Sequence, residues 1–244
     1  MHPKKSRLAF FLFLLMLGLN ILPLRAQAEK DILEKMITAM GGREALAQIK
    51  DTKTTGTMEI IQMGMTTPMT IYQKEPNKFR LEIEVMGYSI IQVFDGQKAQ
   101  ITNPQTGEVM ELPAEQTKGM VKQALGNQVW LDPAKHGITY TYKGEETVDG
   151  KKCYVLEQKF KDGDVTTIYL EATTYLPYLT RTKAASQSGG EVEAETKLTD
   201  YRKVGQTMVP FLMTMNQGGT EYSRMTISEV VYNSGLEDSL FVLK

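Results

Sequence analysis

The sequence is poor in the residues that build covalent or metal-based sites. It has one cysteine, Cys153, so no disulfide can form within the chain, and only two histidines, His2 and His136. A metal site or a Ser-His-acid triad around His136 would need partners that no recognisable spacing supplies. The 28 basic residues do not outnumber the 29 acidic ones, and beyond residue 28 they form no cluster, which argues against nucleic-acid binding.

Catalytic and cofactor-binding motifs are also missing. There is no G-x-S-x-G elbow, no glycine-rich phosphate loop and no H-E-x-x-H zinc motif. Glu145, Glu146 and Glu191–Glu195 supply carboxylates, but acids that alternate along a strand are typical of a solvated face. Cys153 lies within a predicted strand and is interpreted as a small packed residue. We predict no catalysis, cofactor or metal; a lipid hydrolase using His136 is the enzyme alternative.

The first 28 residues have the anatomy of a secretory signal peptide. Lys4, Lys5 and Arg7 precede the apolar run LAFFLFLLMLGLNILPL, and AQA at 26–28 is a small-x-small cleavage site. The run is shorter than the ~20 residues that span a bilayer, and no lipoprotein cysteine follows it. We predict cleavage and export to the periplasm. The mature domain, 29–244, then has a net charge of −5, because four basic residues and no acidic ones are removed.

Two segments have helical periodicity. In Glu29–Ile49 apolar residues recur every three or four positions, and Gly41 and Gly42 interrupt the stripe as a left-handed C-cap would. Pro113–Gly126 begins with a proline suited to a first helical turn, and Trp130 is expected in the loop beyond. The glycine pair is also the expected hinge of any movement of the first segment.

Elsewhere the sequence alternates apolar and polar residues with a period of two, as in NKFRLEIEVM, and this pattern predicts strands. The predicted strands are Thr52–Gln62, Thr66–Lys74, Lys78–Met86, Ser89–Phe94, Lys98–Thr102, Glu108–Leu112, Ile138–Val148, Lys152–Phe160, Val165–Glu171, Tyr178–Lys183, Glu191–Tyr201, Met208–Asn216 and Tyr222–Tyr232. Turns are predicted at Pro76-Asn77, Met86-Gly87, Asp95-Gly96, Asp149-Gly150, Asp162-Gly163 and Ser188-Gly189-Gly190. Because the connections are short, the sheet is expected to be antiparallel and the mature chain a single domain.

A sheet of about a dozen twisted strands with one apolar face is expected to curl rather than stay flat. Two short helical segments are too small to cover it from outside, but they can close the mouth of a curled sheet. We therefore predict a mainly β fold, in which a single curved antiparallel sheet forms an unclosed barrel with a lid of short helices and an apolar interior.

Thirteen of the fifteen methionines lie beyond the predicted signal peptide, several of them at inward strand positions or on the helical stripes. Methionine is flexible and polarizable, so a surface lined with it can repack around ligands of different shape. It also serves as ordinary core filler, and both interpretations stand. The candidate ligand-binding residues are Met36, Met40, Met58, Ile60, Phe79, Leu81, Ile83, Val85, Met120, Leu125, Phe211, Met213 and Met215.

An outer-membrane β-barrel also alternates apolar and polar residues, with its apolar face turned to lipid. The helical stripes would then have nothing to cover, and a single tryptophan makes no aromatic girdle. The sequence also ends in LFVLK, without a terminal aromatic residue. This class is therefore kept as the less favoured alternative.

Several segments resemble a known family. YLEATTYLPYLTRTK (Tyr169–Lys183), DYRKVGQTMVPFLMTM (Asp200–Met215) and ISEVVYNSGLEDSLF (Ile227–Phe241) are similar to the second half of the outer-membrane lipoprotein-sorting proteins, the LolA/LolB-like superfamily. FDGQKAQITNPQTGE (Phe94–Glu108) fits the same family. The resemblance covers essentially all of the mature chain and consists of strand, turn and apolar spacing.

The resemblance implies an unclosed antiparallel barrel whose apolar cavity, lidded by helices, receives the acyl chains of lipoproteins between the inner and outer membranes. The partners would be acylated lipoproteins or other lipids, together with loading and receiving proteins of the two membranes. The family's carrier has a lid arginine that holds the closed state, and Arg43 is the one arginine in either helical segment. The same superfamily includes envelope sensors and lipid carriers, so a sensor or interaction module is the alternative function.

Overall fold

The computed structural model describes residues 21–185 and 190–243. Residues 1–20 of the predicted signal peptide and most of the predicted turn Ser188-Gly189-Gly190 lie outside these ranges. Four α-helices lie within them: α1 (Ile21–Ala39), α2 (Arg43–Gln48), α3 (Ala114–Ala124) and α4 (Gln128–Leu131). In this described part, no helix has both the length and the apolar composition needed to span a bilayer.

All thirteen predicted strands form, and their ends fall within three residues of the predicted bounds. They are β1 (Asp51–Ile60), β2 (Met65–Lys74), β3 (Lys78–Val85), β4 (Tyr88–Phe94), β5 (Ala99–Thr102), β6 (Val109–Glu111), β7 (Thr139–Val148), β8 (Lys151–Lys159), β9 (Val165–Glu171), β10 (Pro177–Ala185), β11 (Glu191–Val204), β12 (Thr207–Gln217) and β13 (Thr220–Tyr232).

The strands form one antiparallel sheet that is not closed into a barrel, as predicted. Its order is β6-β5-β4-β3-β2-β1-β13-β12-β11-β10-β9-β8-β7. Each half is a meander in which consecutive strands pair, and the halves join where β1 pairs with β13. Since β6 and β7 are the two free edges, the segment between them, which carries α3 and α4, crosses from one edge of the sheet to the other.

Predicted turns are confirmed where the backbone needs positive φ. Asp149 and Gly150 have φ of 50° and 76°, and Met86 and Gly87 have φ of 52° and 81°. Two consecutive positive φ values match the twist of a two-residue hairpin. Trp130 differs from the prediction, because it lies in the short helix α4 rather than in a loop.

The break between α1 and α2 is the predicted glycine C-cap. The Gly42 amide donates to the Ile37 carbonyl over 2.8 Å, and φ of Gly41 and Gly42 is 127° and 90°. A Cβ on Gly41 would lie 2.7 Å from the Gln206 carbonyl oxygen, so this break packs tightly against the β11–β12 turn. The Met208 amide also donates to the Met40 carbonyl there over 3.1 Å.

The C-terminal tail, 233–243, ties the two halves from outside. Its start is held by Asp51, whose carboxylate accepts hydrogen bonds from the Ser234 amide at 2.7 Å and the Gly235 amide at 3.0 Å. Its end buries Phe241 completely, with 0% of the side chain exposed, next to β3. The guanidinium of Arg80 donates to the Leu240 carbonyl over 2.8 Å. Sequence analysis did not predict this contact.

Candidate functional site

One apolar face runs across the whole sheet. Directly paired residues on neighbouring strands point to the same side. The strand pairs connect β3 to β9 through β1 and β12. They place on one face the side chains of Phe79, Met58, Met213 and Ile168. We call this the inner face, because the helices lie on it.

Helix α1 covers the inner face over β7, β8 and β9. Met36 and Ile37 of α1, with 0% and 1% exposure, belong to one buried cluster with Leu156 and Ile168 of the sheet. Leu125 and α4 complete this cluster, which we call the α1 core. The spacing of the apolar residues in α1 predicted such a stripe, and the stripe packs on the C-terminal half of the sheet.

Helix α3 covers the inner face at the other end of the sheet, over β3, β4 and β5. Met120 and Ala124 of α3 pack with Phe79, Phe94 and Ala99, and we call this cluster the α3 core. It is much the smaller of the two cores, so α3 is held by fewer apolar contacts than α1.

The middle of the inner face lies between these two cores. One row of paired side chains across β12, β13 and β1 consists of Met213, Met225 and Met58. In the next row along the same strands, Met215 of β12 and Ile60 of β1 lie on either side of Ser223. Of the five apolar side chains only Met225 is buried, and in the described residues none belongs to either core. We call these five residues the central patch.

A cavity of about 220 Å³ lies further along the same three strands. Its wall includes Val209 on β12, Val230 on β13 and Thr54 on β1, with Met40 at the end of α1. In each strand one inner-face position separates the cavity from the central patch, and Phe211 on β12 is one of these. Because the patch and the cavity are adjacent along the same three strands, we call them together the groove.

Glu75 lines the cavity, and the pKa of its carboxyl group is raised. Burial raises the pKa of Glu75, although Gln128 of α4 donates to its Oε2 over 2.9 Å and opposes this rise. Gln73, beside it on the wall, donates to the Gln123 carbonyl of α3 over 2.8 Å. These contacts join the helices to the end of β2 next to the groove.

Two charged side chains fasten the helices. Arg43 of α2 donates through Nε to Glu34 of α1 over 2.9 Å, and through Nη1 to the Leu131 carbonyl of α4 over 3.0 Å. Arg43 therefore links three helices, and its ion pair with Glu34 lowers the pKa of that carboxyl group.

The second fastening belongs to α3. Lys122 forms ion pairs with Asp162, at 2.9 Å, and with Asp164, both in the β8–β9 turn, and its Nζ lies 4.8 Å from the centre of the Phe160 ring. The ion pair lowers the pKa of Asp162. Because α3 packs on the N-terminal half of the sheet, Lys122 bridges the two halves.

The predicted ligand-binding residues lie at several places on the inner face and its lid. The structure brings Met58, Ile60, Met213 and Met215 together in the central patch, and Ile83 and Val85 lie on the same face of β3. Phe79, Leu81 and Met120 are covered within the α3 core, Met36 and Leu125 lie within the α1 core, Met40 lines the cavity, and Phe211 separates cavity from patch. Ligand contact by any of them remains a prediction.

Two inner-face residues at the central patch were not predicted. Met225 and Ser223 lie on the inner face of β13, between β12 and β1. For Met225 the signal was present, because Met225 and Ile227 alternate with polar residues in the same way as the methionines of β12.

The remaining candidates for chemistry are dispersed. His136 ends a 3-10 turn, and its Nε2 is buried without a hydrogen-bond partner in the described part of the chain. Cys153 is fully buried on the outer face, where burial raises the pKa of its thiol. Within residues 21–185 and 190–243, no group of three or more His, Cys, Asp or Glu side chains is placed to hold a metal ion.

Comparison with known proteins places this geometry among related folds. A family model with the description "Uncharacterized protein" matches residues 103–244. No curated protein matches the chain.

Three crystal structures cover nearly the whole fold. A DUF1329 family protein from Desulfovibrio piger has a TM-score of 0.62 and 16% identity, over 87% of this chain and 96% of that one. A putative outer membrane lipoprotein-sorting protein domain from Vibrio parahaemolyticus gives 0.61 and 14%, over 88% and 97%. A LolA superfamily protein from Nitrosomonas europaea gives 0.61 and 15%, also over 88% and 97%. The resemblance to the LolA-like fold is therefore confirmed.

Proposed function

Since the chain belongs to the family described as "Uncharacterized protein" and has the LolA-like fold, we propose that it is an envelope carrier that binds lipid acyl chains in its inner groove. Its cargo would be the acyl chains of lipoproteins, which it would carry through the periplasm and deliver to the outer membrane. The similarity to a putative outer membrane lipoprotein-sorting protein domain supports this cargo class.

The central patch is the observation that carries the proposal. Four of its five side chains stay partly exposed on a face where the helices bury the residues to either side. A group of large apolar side chains that stays open to solvent is typical of an interaction or ligand site. Methionines can repack around chains of different length.

The energy of binding would come from burial of the acyl chain. Each methylene removed from water contributes roughly 0.8 kcal/mol, so a chain of twelve carbons gains about 10 kcal/mol before the cost of lost motion, which is at least about 4 kcal/mol. The cavity of about 220 Å³ is smaller than typical ligand sites of roughly 300–1,000 Å³. A bound chain would therefore also occupy the patch and displace part of the lid.

Helix α3 is the part of the lid we expect to move. It is held by the small α3 core and by Lys122, whereas α1 is held by a larger core and by Arg43. The predicted hinge at Gly41 and Gly42 is less suited to movement, because Gly41 packs against the β11–β12 turn.

Lipid extraction tests the proposal. The protein purified from cells is extracted with organic solvent and the extract is analysed by mass spectrometry, and the delipidated protein is titrated with the neutral dye N-phenyl-1-naphthylamine. We expect acyl lipids in the extract and micromolar dye binding that added lipid reverses. An extract without lipid, together with no dye binding, would show that the protein is not an acyl-chain carrier.

A further inference from the structure

The inner face contains a polar side chain inside the central patch. Ser223 on β13 pairs with Met215 on β12 and with Ile60 on β1, so its hydroxyl group lies between two apolar residues of the patch. Its side chain is 5% exposed. In the described part of the chain, its Oγ has no hydrogen-bond partner.

The other four polar residues that are buried as whole residues have hydrogen-bond partners, whereas in the described part of the chain single buried atoms of His136, Asn216 and Glu221 lack one, as Ser223 Oγ does. Besides Ser223, the buried polar residues are Asp51, Thr67, Gln158 and Thr207. Asp51 binds backbone amides of the tail, and Thr67 donates to the Glu84 carbonyl. Gln158 donates to Tyr140 over 2.6 Å, and Thr207 donates to the Val204 carbonyl over 3.1 Å. A buried hydroxyl without a partner is costly, and Ser223 is the one of these unpaired groups that lies inside the central patch, so its unpaired Oγ calls for a ligand group.

The surroundings of Ser223 select the chemistry of that group. The next residue, Arg224, points to the opposite face, where it forms ion pairs with Glu59 at 3.1 Å and Glu221 at 2.7 Å. The patch itself consists only of Met and Ile side chains. A carboxylate there would be buried without a counterion, whereas a neutral carbonyl oxygen needs only one hydrogen-bond donor.

We propose that Ser223 recognises a neutral acyl carbonyl, donating its hydroxyl hydrogen to the ester or amide oxygen of a chain bound in the central patch. The inference rests on the proposed function and adds the class of ligand, which is an esterified or amidated acyl chain rather than a free fatty acid or a plain hydrocarbon. Movement of the flexible Met215 side chain opens the path to the Ser223 hydroxyl.

The experiment compares two ligands that differ at one position. Methyl dodecanoate and dodecyl methyl ether have the same length, and the ether has a methylene in place of the carbonyl. Each competes with N-phenyl-1-naphthylamine on the delipidated protein, on Ser223→Ala, and on Thr226→Ala as the matched control. Thr226 is an exposed hydroxyl residue on the opposite face of the same strand. The series is completed by N-methyldodecanamide and by dodecanoate at pH 8.

The wild-type protein is expected to bind the ester and the amide about five- to tenfold more tightly than the ether, since one hydrogen bond contributes about 1 kcal/mol. Ser223→Ala is expected to remove this preference and to leave ether binding unchanged, while Thr226→Ala keeps the preference. Since Ser223→Ala removes an unpaired buried hydroxyl, the thermal stability of the delipidated variant is expected to rise rather than fall. Dodecanoate is expected to bind no better than the ether.

Three results overturn the inference. They are an equal affinity of the wild-type protein for ester and ether, a preference that survives in Ser223→Ala, and tighter binding of dodecanoate than of the ester. If the dye and the ether bind normally in any of these cases, the proposed carrier function stands without Ser223. If neither the dye nor any competitor binds, the carrier function itself has failed.

Discussion

Truncation of Met213 separates ligand binding from folding, because its neighbour in the sequence provides a matched control. Met213 faces the groove between Met225 and Leu198, whereas Leu212 faces the opposite side of β12 and is also partly buried. Full burial of a methionine side chain contributes about 1.5–3 kcal/mol. Since Met213 is already partly buried without ligand, we expect Met213→Ala to weaken acyl-ester binding by about 1 kcal/mol, or roughly fivefold.

The stronger substitution Met213→Asp places a charge against the bound chain. We expect it to abolish binding, because an unpaired carboxylate cannot be buried beside hydrocarbon. Dye displacement measures affinity, and thermal unfolding by circular dichroism confirms that each variant is folded. If Leu212→Ala weakens binding as much as Met213→Ala, or if Met213→Asp binds normally, the assignment of the inner face is wrong.

Other predictions concern stability and the lid. Phe241→Ala is expected to cost about 3–5 kcal/mol and to lower Tm by about 6–20 °C in a thermal melt, because Phe241 is completely buried; a shift below 3 °C would contradict the tail's role. Burial raises the pKa of Asp51, but hydrogen bonds from the tail outweigh it, so the folded pKa is lowered. The ionised carboxylate therefore stabilises the fold fully above the unfolded-state pKa of about 4. Asp51→Asn is expected to lower the free energy of unfolding by about 2 kcal/mol at pH 7, and by progressively less as the pH falls through the folded-state pKa of Asp51. Urea unfolding at several pH values measures this difference. Lys122→Ala removes the ion pairs to Asp162 and Asp164, so we expect amide hydrogen exchange to become faster in α3 but not in α1. If α3 exchanges at the same rate in the variant and in the wild-type protein, Lys122 does not hold this helix in place.

The sheet was predictable because its period-two alternation is nearly continuous. Apolar residues at every second position, such as Phe79, Leu81 and Ile83 of β3, recur in most strands, and pairs that end in glycine, such as Asp149-Gly150, mark hairpins. Strand ends were less accurate where the ladder continues past the apolar alternation, as in β11, which runs to Val204, three residues beyond its predicted end, through the polar residues Arg202 and Lys203. The C-terminal tail was missed because Phe241 sits in a short 3-10 turn without periodicity, and its burial depends on contacts with distant strands.

The binding groove was predictable only in part. Alternation identifies which residues share a face, but it does not tell which strands the helices will cover. Phe79 and Met213 have the same pattern in the sequence, yet α3 packs on the first and leaves the second partly exposed. Ser223 carried no signal at all, because an isolated serine in a strand is usually solvated. Its position emerges only when β12 and β1 are placed on either side of it.

Methyl NMR of the methionines tests the central claim most directly, because each one reports its own surroundings. With [methyl-13C]methionine in the delipidated protein, addition of methyl dodecanoate is expected to shift the signals of Met58, Met213, Met215 and Met225. The signal of Met36, fully buried in the α1 core, is expected to stay in place. Saturable shifts of these four residues with Met36 unchanged would place the acyl chain in the groove, and shifts elsewhere that leave these four unchanged would contradict the account.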